Sequence, residues 1–274
     1  MPKPKNKGSK PGKVEAAEPP PAPPSWPAFK PPLPIVDLSP VPHPLTSNVV
    51  LIPTFFPRSL CRDYVSFLKT LPLQTTPGRP KRGDAVRVND RFQVDSQDFA
   101  TRLWEQTGLK EVLLDSDHEQ WGGEPVGLSY NIRIYRYSKG QFFDCHYDDS
   151  NNLTLPLDPP VPVKTTWTLL LYLTSSSEGC VGGETVFYPR DRRSAREEIV
   201  VPLETGTLLL HKHGDDCLLV RSSVPANMRH GVTIPCRDAN YYVSFSTKDE
   251  RWPKARNGFS ARIFASDAEI YERL

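Results

Sequence analysis

The stretch GLSYNIRIYRYSKGQFFDCHYDD, residues 127–149, decides how this chain is read. Its first twelve residues alternate in side-chain character with a period of two, the pattern of a strand with one face on a core. Lys139-Gly140 then makes a turn, and a second run leads into Cys145-His146-Tyr147-Asp148. Further β-prone runs follow in TTWTLLLYLTS (165–175), GETVFYP (183–189), EEIVVPL (197–203) and GTLLLHKH (206–213), each bounded by Gly, Pro, Ser or Asp. Short strands following one another across loops predict a sandwich or a barrel.

Working outward, NVVLIPTFF (48–56) is an apolar, β-prone run, and LCRDYVSFLKTL (60–71) carries its apolar residues at helical spacing. TPGRPKRGDAVRVND (76–90) is polar and turn-rich, and SQDFATRLWEQTGLKEVLL (96–114) is again amphipathic. Ser96 is the expected N-cap and Asp98 lies in the first turn, where a carboxylate favours the helix dipole. Helices first and strands afterwards predict an α+β, mainly β fold: a jelly roll with N-terminal supporting helices, in preference to a βαβ repeat.

At 274 residues and 38% hydrophobic content the chain can bury one sizeable core and carry a tail. Fifteen of its thirty prolines lie in the first 44 residues, mixed with Lys, Ala and Glu. Residues 1–34 are therefore expected to form a disordered Pro/Lys-rich tail, with its five lysines from Lys3 to Lys13 in solvent. Residues 35–127 form the helical support and 128–219 the β core. With 34 Lys+Arg against 32 Asp+Glu, there is no global pull toward nucleic acid or anionic membrane, and no nucleic-acid readout motif is visible.

The cysteines (Cys61, Cys145, Cys180, Cys217, Cys236) are five in number, scattered and without CxxC spacing, which speaks against a disulfide framework or a structural zinc site. A reducing compartment suits them. MPKPKNKGSKPGK lacks an apolar signal core, and no run of about 18 apolar residues occurs, so the expected location is cytoplasmic or nuclear, without a membrane partner.

In an extended segment, His146 and Asp148 leave the backbone on one face and can grip one ion. Iron(II) with open positions takes two His and one carboxylate on a single octahedral face. A second HxD occurs at His213-Gly214-Asp215. It sits where GTLLLHKH exits into a turn, so His211 and His213 are expected to be surface or satisfied core residues. A cupin-like metal site on His211, His213 and Asp215 is the rival.

Taken in order, Tyr135-Arg136-Tyr137, Gly140, His146, Asp148, TTWTLLLYLTS, GGETVFYP and ETGTLLLHKHG resemble the catalytic domain of prolyl 4-hydroxylase-type 2-oxoglutarate oxygenases, the fungal members in particular. The resemblance spans about residues 128–219. It implies a double-stranded β-helix, Fe(II) and 2-oxoglutarate with O2, commonly an ascorbate requirement, and a protein, peptide or small-molecule substrate. It also matches Tyr137 to a tyrosine that helps hold 2-oxoglutarate, beside the plain reading of an aromatic filling a strand face.

The family pattern next has a histidine as third ligand and, about ten residues on, a Lys or Arg for the distal carboxylate of 2-oxoglutarate. This chain has Val220 instead. Val220-Arg221 can be encoded by GTA-AGR, as many introns begin. Thr247–Ala265, TKDERWPKARNGFSARIFA, back-translated and reread one nucleotide earlier with permitted codons, gives HEGRAVAKGEKWVLRSD. That string has the missing histidine at its head and a lysine ten residues on. Residues 220–274 are accordingly expected to be an aberrant or unspliced segment. The alternative keeps the chain as written, with His230 as ligand and Asn240 ten residues on, a side chain that cannot neutralise a carboxylate. A chain lacking both groups would be an inactive jelly-roll binding module.

Overall fold

A computed structural model describes residues 22–76, 80, 85–148, 150, 152–155, 159–180, 182–189, 197–213, 218–223, 240–245 and 261–266. NVVLIPTFF contributes the end of a hairpin, β1 (Val41–His43) with β2 (Thr46–Ile52), and α1 (Arg58–Leu68) follows. Leu60, Cys61, Tyr64, Val65 and Leu68 of α1 are buried, the helical spacing anticipated.

The stretch read as polar and turn-rich supplies the short strands β3 (Gln74–Thr75) and β4 (Arg87–Val88) and the start of β5 (Asp90–Asp95). The second amphipathic segment divides into α2 (Gln97–Gln106) and α3 (Leu109–Leu114) at Gly108, whose φ of 79° is left-handed. A short α4 (His118–Trp121) precedes the strands β6 (Glu124–Leu128), β7 (Asn131–Tyr137), β8 (Phe142–His146), β9 (Asn152–Leu155), β10 (Val161–Tyr172), β11 (Thr185–Tyr188), β12 (Ile199–Val201), β13 (Leu208–Lys212), β14 (Leu219–Ser223), β15 (Asn240–Phe245) and β16 (Ala261–Ser266). The fold is mostly β, with few helices.

Two antiparallel sheets result. The larger runs β1-β2-β13-β10-β15-β7-β5-β3, with β6, β9 and β16 attached off this path. The smaller runs β12-β11-β14-β8-β4. Strand β7 shows how the sequence pattern sets the layers. Ile132 and Ile134 face the cluster shared with the helices, whereas Tyr135 and Tyr137 face the one that also holds Phe143, Phe187, Leu209 and Val220.

The expectation of disorder over residues 1–34 is corrected for residues 22–34; residues 1–21 lie outside the described residues. Trp26 is buried and stacks on Phe99 at 4.1 Å between ring centroids. Its indole N–H donates to Ser96 Oγ at 3.1 Å, so the residue at the α2 N-cap position holds the leader and makes no side-chain cap bond. Tyr64 Oη and Arg102 both donate to the Pro27 carbonyl, at 2.9 and 2.8 Å. Composition predicted disorder because the segment is poor in apolar side chains, but Trp26 and Phe29 anchor it and proline-fixed φ angles leave less entropy to lose. Trp26→Ala should cost about 3 kcal/mol of stability. The check is urea unfolding, with limited proteolysis showing earlier cleavage near residue 26.

Candidate metal centre

Gly140, with φ of 80°, turns β7 into β8, and Gln141 N–H closes the turn on the Ser138 carbonyl at 2.9 Å. This delivers His146 as the last residue of β8 and Asp148 two residues beyond, both buried. His146 Nε2 lies 3.8 Å from Asp148 Oδ1. His146 Nδ1 is 2.8 Å from the Asp144 carbonyl. A carbonyl can only accept, so Nδ1 carries the proton and Nε2 keeps its lone pair on the side of Asp148. Phe143 stacks on the imidazole at 3.5 Å between centroids.

Asp148 is positioned from β10. Thr168 Oγ1 donates to Asp148 Oδ2 at 2.8 Å and also contacts His213 Nε2. The hydroxyl has one proton to give; with it on the carboxylate, His213 Nε2 is the donor to Thr168. His211 Nε2 approaches Asp148 Oδ2 at 3.5 Å, and His211 pairs with Thr168 in the β10/β13 register.

His211 and His213 are therefore not surface residues: both are buried and belong to the surroundings of Asp148. The available signal was the alternation in GTLLLHKH. Leu208 and Leu210 face the helices, so Leu209, His211 and His213 share the opposite face, toward the smaller sheet. Asp215, the third member of the rival site, and His230 lie outside the described residues.

Tyr137 is buried on the inner face of β7 beside Tyr135, 6.5 Å between ring centroids. Burial above all, then Tyr135, pushes its hydroxyl well above the usual tyrosine range, so it stays a neutral hydrogen-bonding group. In register, Tyr137 pairs with Asn240 of β15. Across the smaller sheet, His146 pairs with Val220 of β14, which is buried.

Burial holds the His146 imidazole down to about 4, against a partial upward pull from Asp148. The folded value lies below the ordinary His value of about 6.5. The native imidazole thus resists a proton that the unfolded chain accepts, and metal-free protein should lose stability as pH falls from about 6.5 toward 4. Denaturation midpoints across that range check this. His146→Gln should flatten the slope.

The donor set suits a ferrous ion at two positions: a neutral imidazole nitrogen and a carboxylate, 3.8 Å apart and so within reach of one ion at bonds of about 2.1 Å after a small closure. Among the described residues no group of three His, Cys, Asp or Glu side chains is arranged to hold a metal.

Residues 132–248 match the model of the 2OG-Fe(II) oxygenase superfamily. The match runs past Val220, and β14 and β15 fall within it. No curated protein matches the chain in sequence. Among solved structures it is similar to a Pseudomonas putida prolyl-4-hydroxylase, at 12% identity and TM-score 0.47 over 72% of this chain and 90% of that one. It is also similar to a collagen prolyl hydroxylase of Paramecium Bursaria Chlorella virus-1, at 14% and 0.42 over 80% and 96%. A third is HygX of Streptomyces hygroscopicus with nickel, 2-oxoglutarate and hygromycin B bound, at 14% and 0.46 over 81% and 84%.

Proposed function

We propose that the protein is an Fe(II)- and 2-oxoglutarate-dependent dioxygenase that hydroxylates a prolyl or other protein side chain, on a double-stranded β-helix, or jelly roll, made by β7, β8 and β10 to β15. The observation that carries this reading is the buried pair His146 and Asp148, set between the two sheets within the stretch that matches the oxygenase family. When bound, Fe(II) supplies the site at which O2 oxidises the keto acid and the substrate.

The chain's own groups do the rest. His146 offers Nε2 because the Asp144 carbonyl holds Nδ1–H, and Asp148 is kept in place by the Thr168 hydroxyl. Tyr137 offers a neutral hydroxyl to 2-oxoglutarate. Phe143, Phe187 and Val220 keep the surroundings apolar, which strengthens each polar contact inside. Ascorbate as an auxiliary reductant and a cytoplasmic or nuclear location belong to the same reading. Among the described residues no helix is long and apolar enough to cross a membrane.

The third ligand is the open position of this reading. Directly opposite residues of an antiparallel pair project to the same face, so the residue across from His146, position 220, is where an added imidazole would meet the metal. A transcript joining Leu219 to HEGRAVAKGEKWVLRSD puts histidine there. Sequencing cDNA across Leu219 tests this; a message that reads through Val220 leaves His230 to complete the set.

A second reading, an inactive jelly-roll binding module, is favoured by the absence of a ligand trio among the described residues. Conversion of 2-oxoglutarate to succinate separates the two. The oxygenase should release succinate in proportion to Fe(II) and yield a peptide product heavier by one oxygen atom. Metal-loaded protein that leaves 2-oxoglutarate intact with every peptide offered is a binding module.

A further inference from the structure

The leader that packs along α2 leaves a cleft at the far end of that helix. Its volume is about 410 Å³, and its walls are the leader on one side and the end of α2, Gly108 and α3 on the other. Gly108 lets the two walls meet: a Cβ there would lie 3.0 Å from Pro34 Cγ. Leu33, Pro34 and Val112 give the cleft an apolar lining. Between the lining residues of the leader, Ile35 and Val36 stay 42% and 44% exposed, so an apolar lip is left to solvent.

The rim has the opposite character. Asp37, Glu105, Glu111 and Asp115 all line the cleft. Glu105 lies in the last turn of α2 and Asp115 at the C-cap of α3, and neither helix has a basic residue in its last turn. Helix carbonyls already make these ends negative, so carboxylates there add to the field instead of compensating it. Lys110 donates to both Glu105 oxygens at 3.0 Å. Asp37, Glu111 and Asp115 form no ion pair among the described residues. Three such carboxylates and two helix ends around one apolar trough fit an occupant that carries several cations on apolar stems along an extended chain.

The chain has such a segment ahead of the leader. Lys3, Lys5, Lys7, Lys10 and Lys13 alternate with prolines and small residues, and the first acid is Glu15. Twelve residues separate Lys13 from Trp26, which is pinned at the start of α2. Extended, they reach about 40 Å. The cleft is one helix away, about 15 Å for the ten residues of α2. A tethered segment meets it at an effective concentration on the order of 1 mM.

We propose that this cleft is the docking site of the chain's own Lys3–Lys13 segment, whose ammonium groups pair with Asp37, Glu111 and Asp115 while its prolines and lysine stems cover the lip at Ile35 and Val36. The segment lies outside the described residues, and the assignment is independent of the oxygenase reading.

The probe is a fluorescent peptide of residues 1–14, titrated at low salt and followed by anisotropy. It is offered to the full wild-type chain and to a full chain carrying Lys3→Gln, Lys5→Gln, Lys7→Gln, Lys10→Gln and Lys13→Gln. The wild-type chain covers its own cleft, so the neutral-segment chain should bind the peptide about tenfold more tightly. Adding Asp37→Asn, Glu111→Gln and Asp115→Asn to that chain should weaken the peptide by about tenfold or more, and so should raised salt. These changes relieve the helix ends, so thermal melts should show no loss of fold. Equal peptide affinity for the wild-type and neutral-segment chains overturns docking within one chain. So does a wild-type chain whose mass in sedimentation rises with concentration while that of the neutral-segment chain does not, since the segment then docks on a second copy. Peptide binding that survives the three cleft changes, or no binding to the neutral-segment chain, overturns the cleft as the site.

Discussion

Asp148→Ala is expected to abolish Fe(II) binding and with it all succinate formation. The carboxylate is 1% exposed and is the common neighbour of every imidazole in the site: His146 at 3.8 Å, His211 at 3.5 Å, and His213 through Thr168. No other described side chain supplies an anion there, so its removal leaves neutral nitrogens that hold a hard divalent ion poorly. Asp148→Asn is the sharper variant. It keeps the volume and an acceptor for Thr168 but removes the charge, so metal binding should again be lost. Metal-free stability should hold or rise, since burying a carboxylate costs more than burying an amide. Equilibrium dialysis with Fe(II) under nitrogen and thermal melts of the metal-free proteins give both readouts. Unchanged metal affinity in Asp148→Asn would remove this residue from the centre.

Val220→His is the second large change, and here the direction is a gain. The Cβ atoms of directly opposed antiparallel residues lie about 5 Å apart on one face, so an imidazole at 220 stands beside that of His146 and shares its approach to the ion. Groups that merely orient a ligand change affinity by 10- to 100-fold, so an added ligand should tighten Co(II) or Fe(II) binding by at least about 100-fold. Fitting the ring among Phe143, Phe187 and Val220's other neighbours costs about 1–3 kcal/mol in the metal-free protein. The metal should return more than this on binding. Co(II) absorption reports the ligand count directly. A spectrum and an affinity equal to wild type would show that position 220 does not address the ion.

The sequence carried its clearest information where side-chain period and burial coincide. The alternation of NIRIYRY, the apolar spacing of α1 and α2, and the HxD at the end of β8 were all legible, because each is a local pattern with one structural solution. For His211 and His213 the choice between surface and core was left open, and the period of two that they share with Leu209 is what puts both on the buried inward face. Strand β4 was hidden. It stands in a stretch whose Gly, Pro and charged residues read as loop, and this two-residue strand exists only because β8 offers a partner edge. The packed leader was invisible to composition because two aromatic anchors, Trp26 and Phe29, outweigh the prolines between them.

One position in the smaller sheet bears on what forms of this protein can exist. β14 is not a border strand: it lies between β11 and β8, bonded to both. A polypeptide stopped at Leu219 would leave β12-β11 and β8-β4 as two separate ribbons, each with a raw edge and an apolar inner face, and such edges recruit other chains. Alternative endings can therefore be exchanged at this point but not dispensed with. A truncated product should collect in the insoluble fraction, while any viable variant ending must begin with a segment able to act as a central strand.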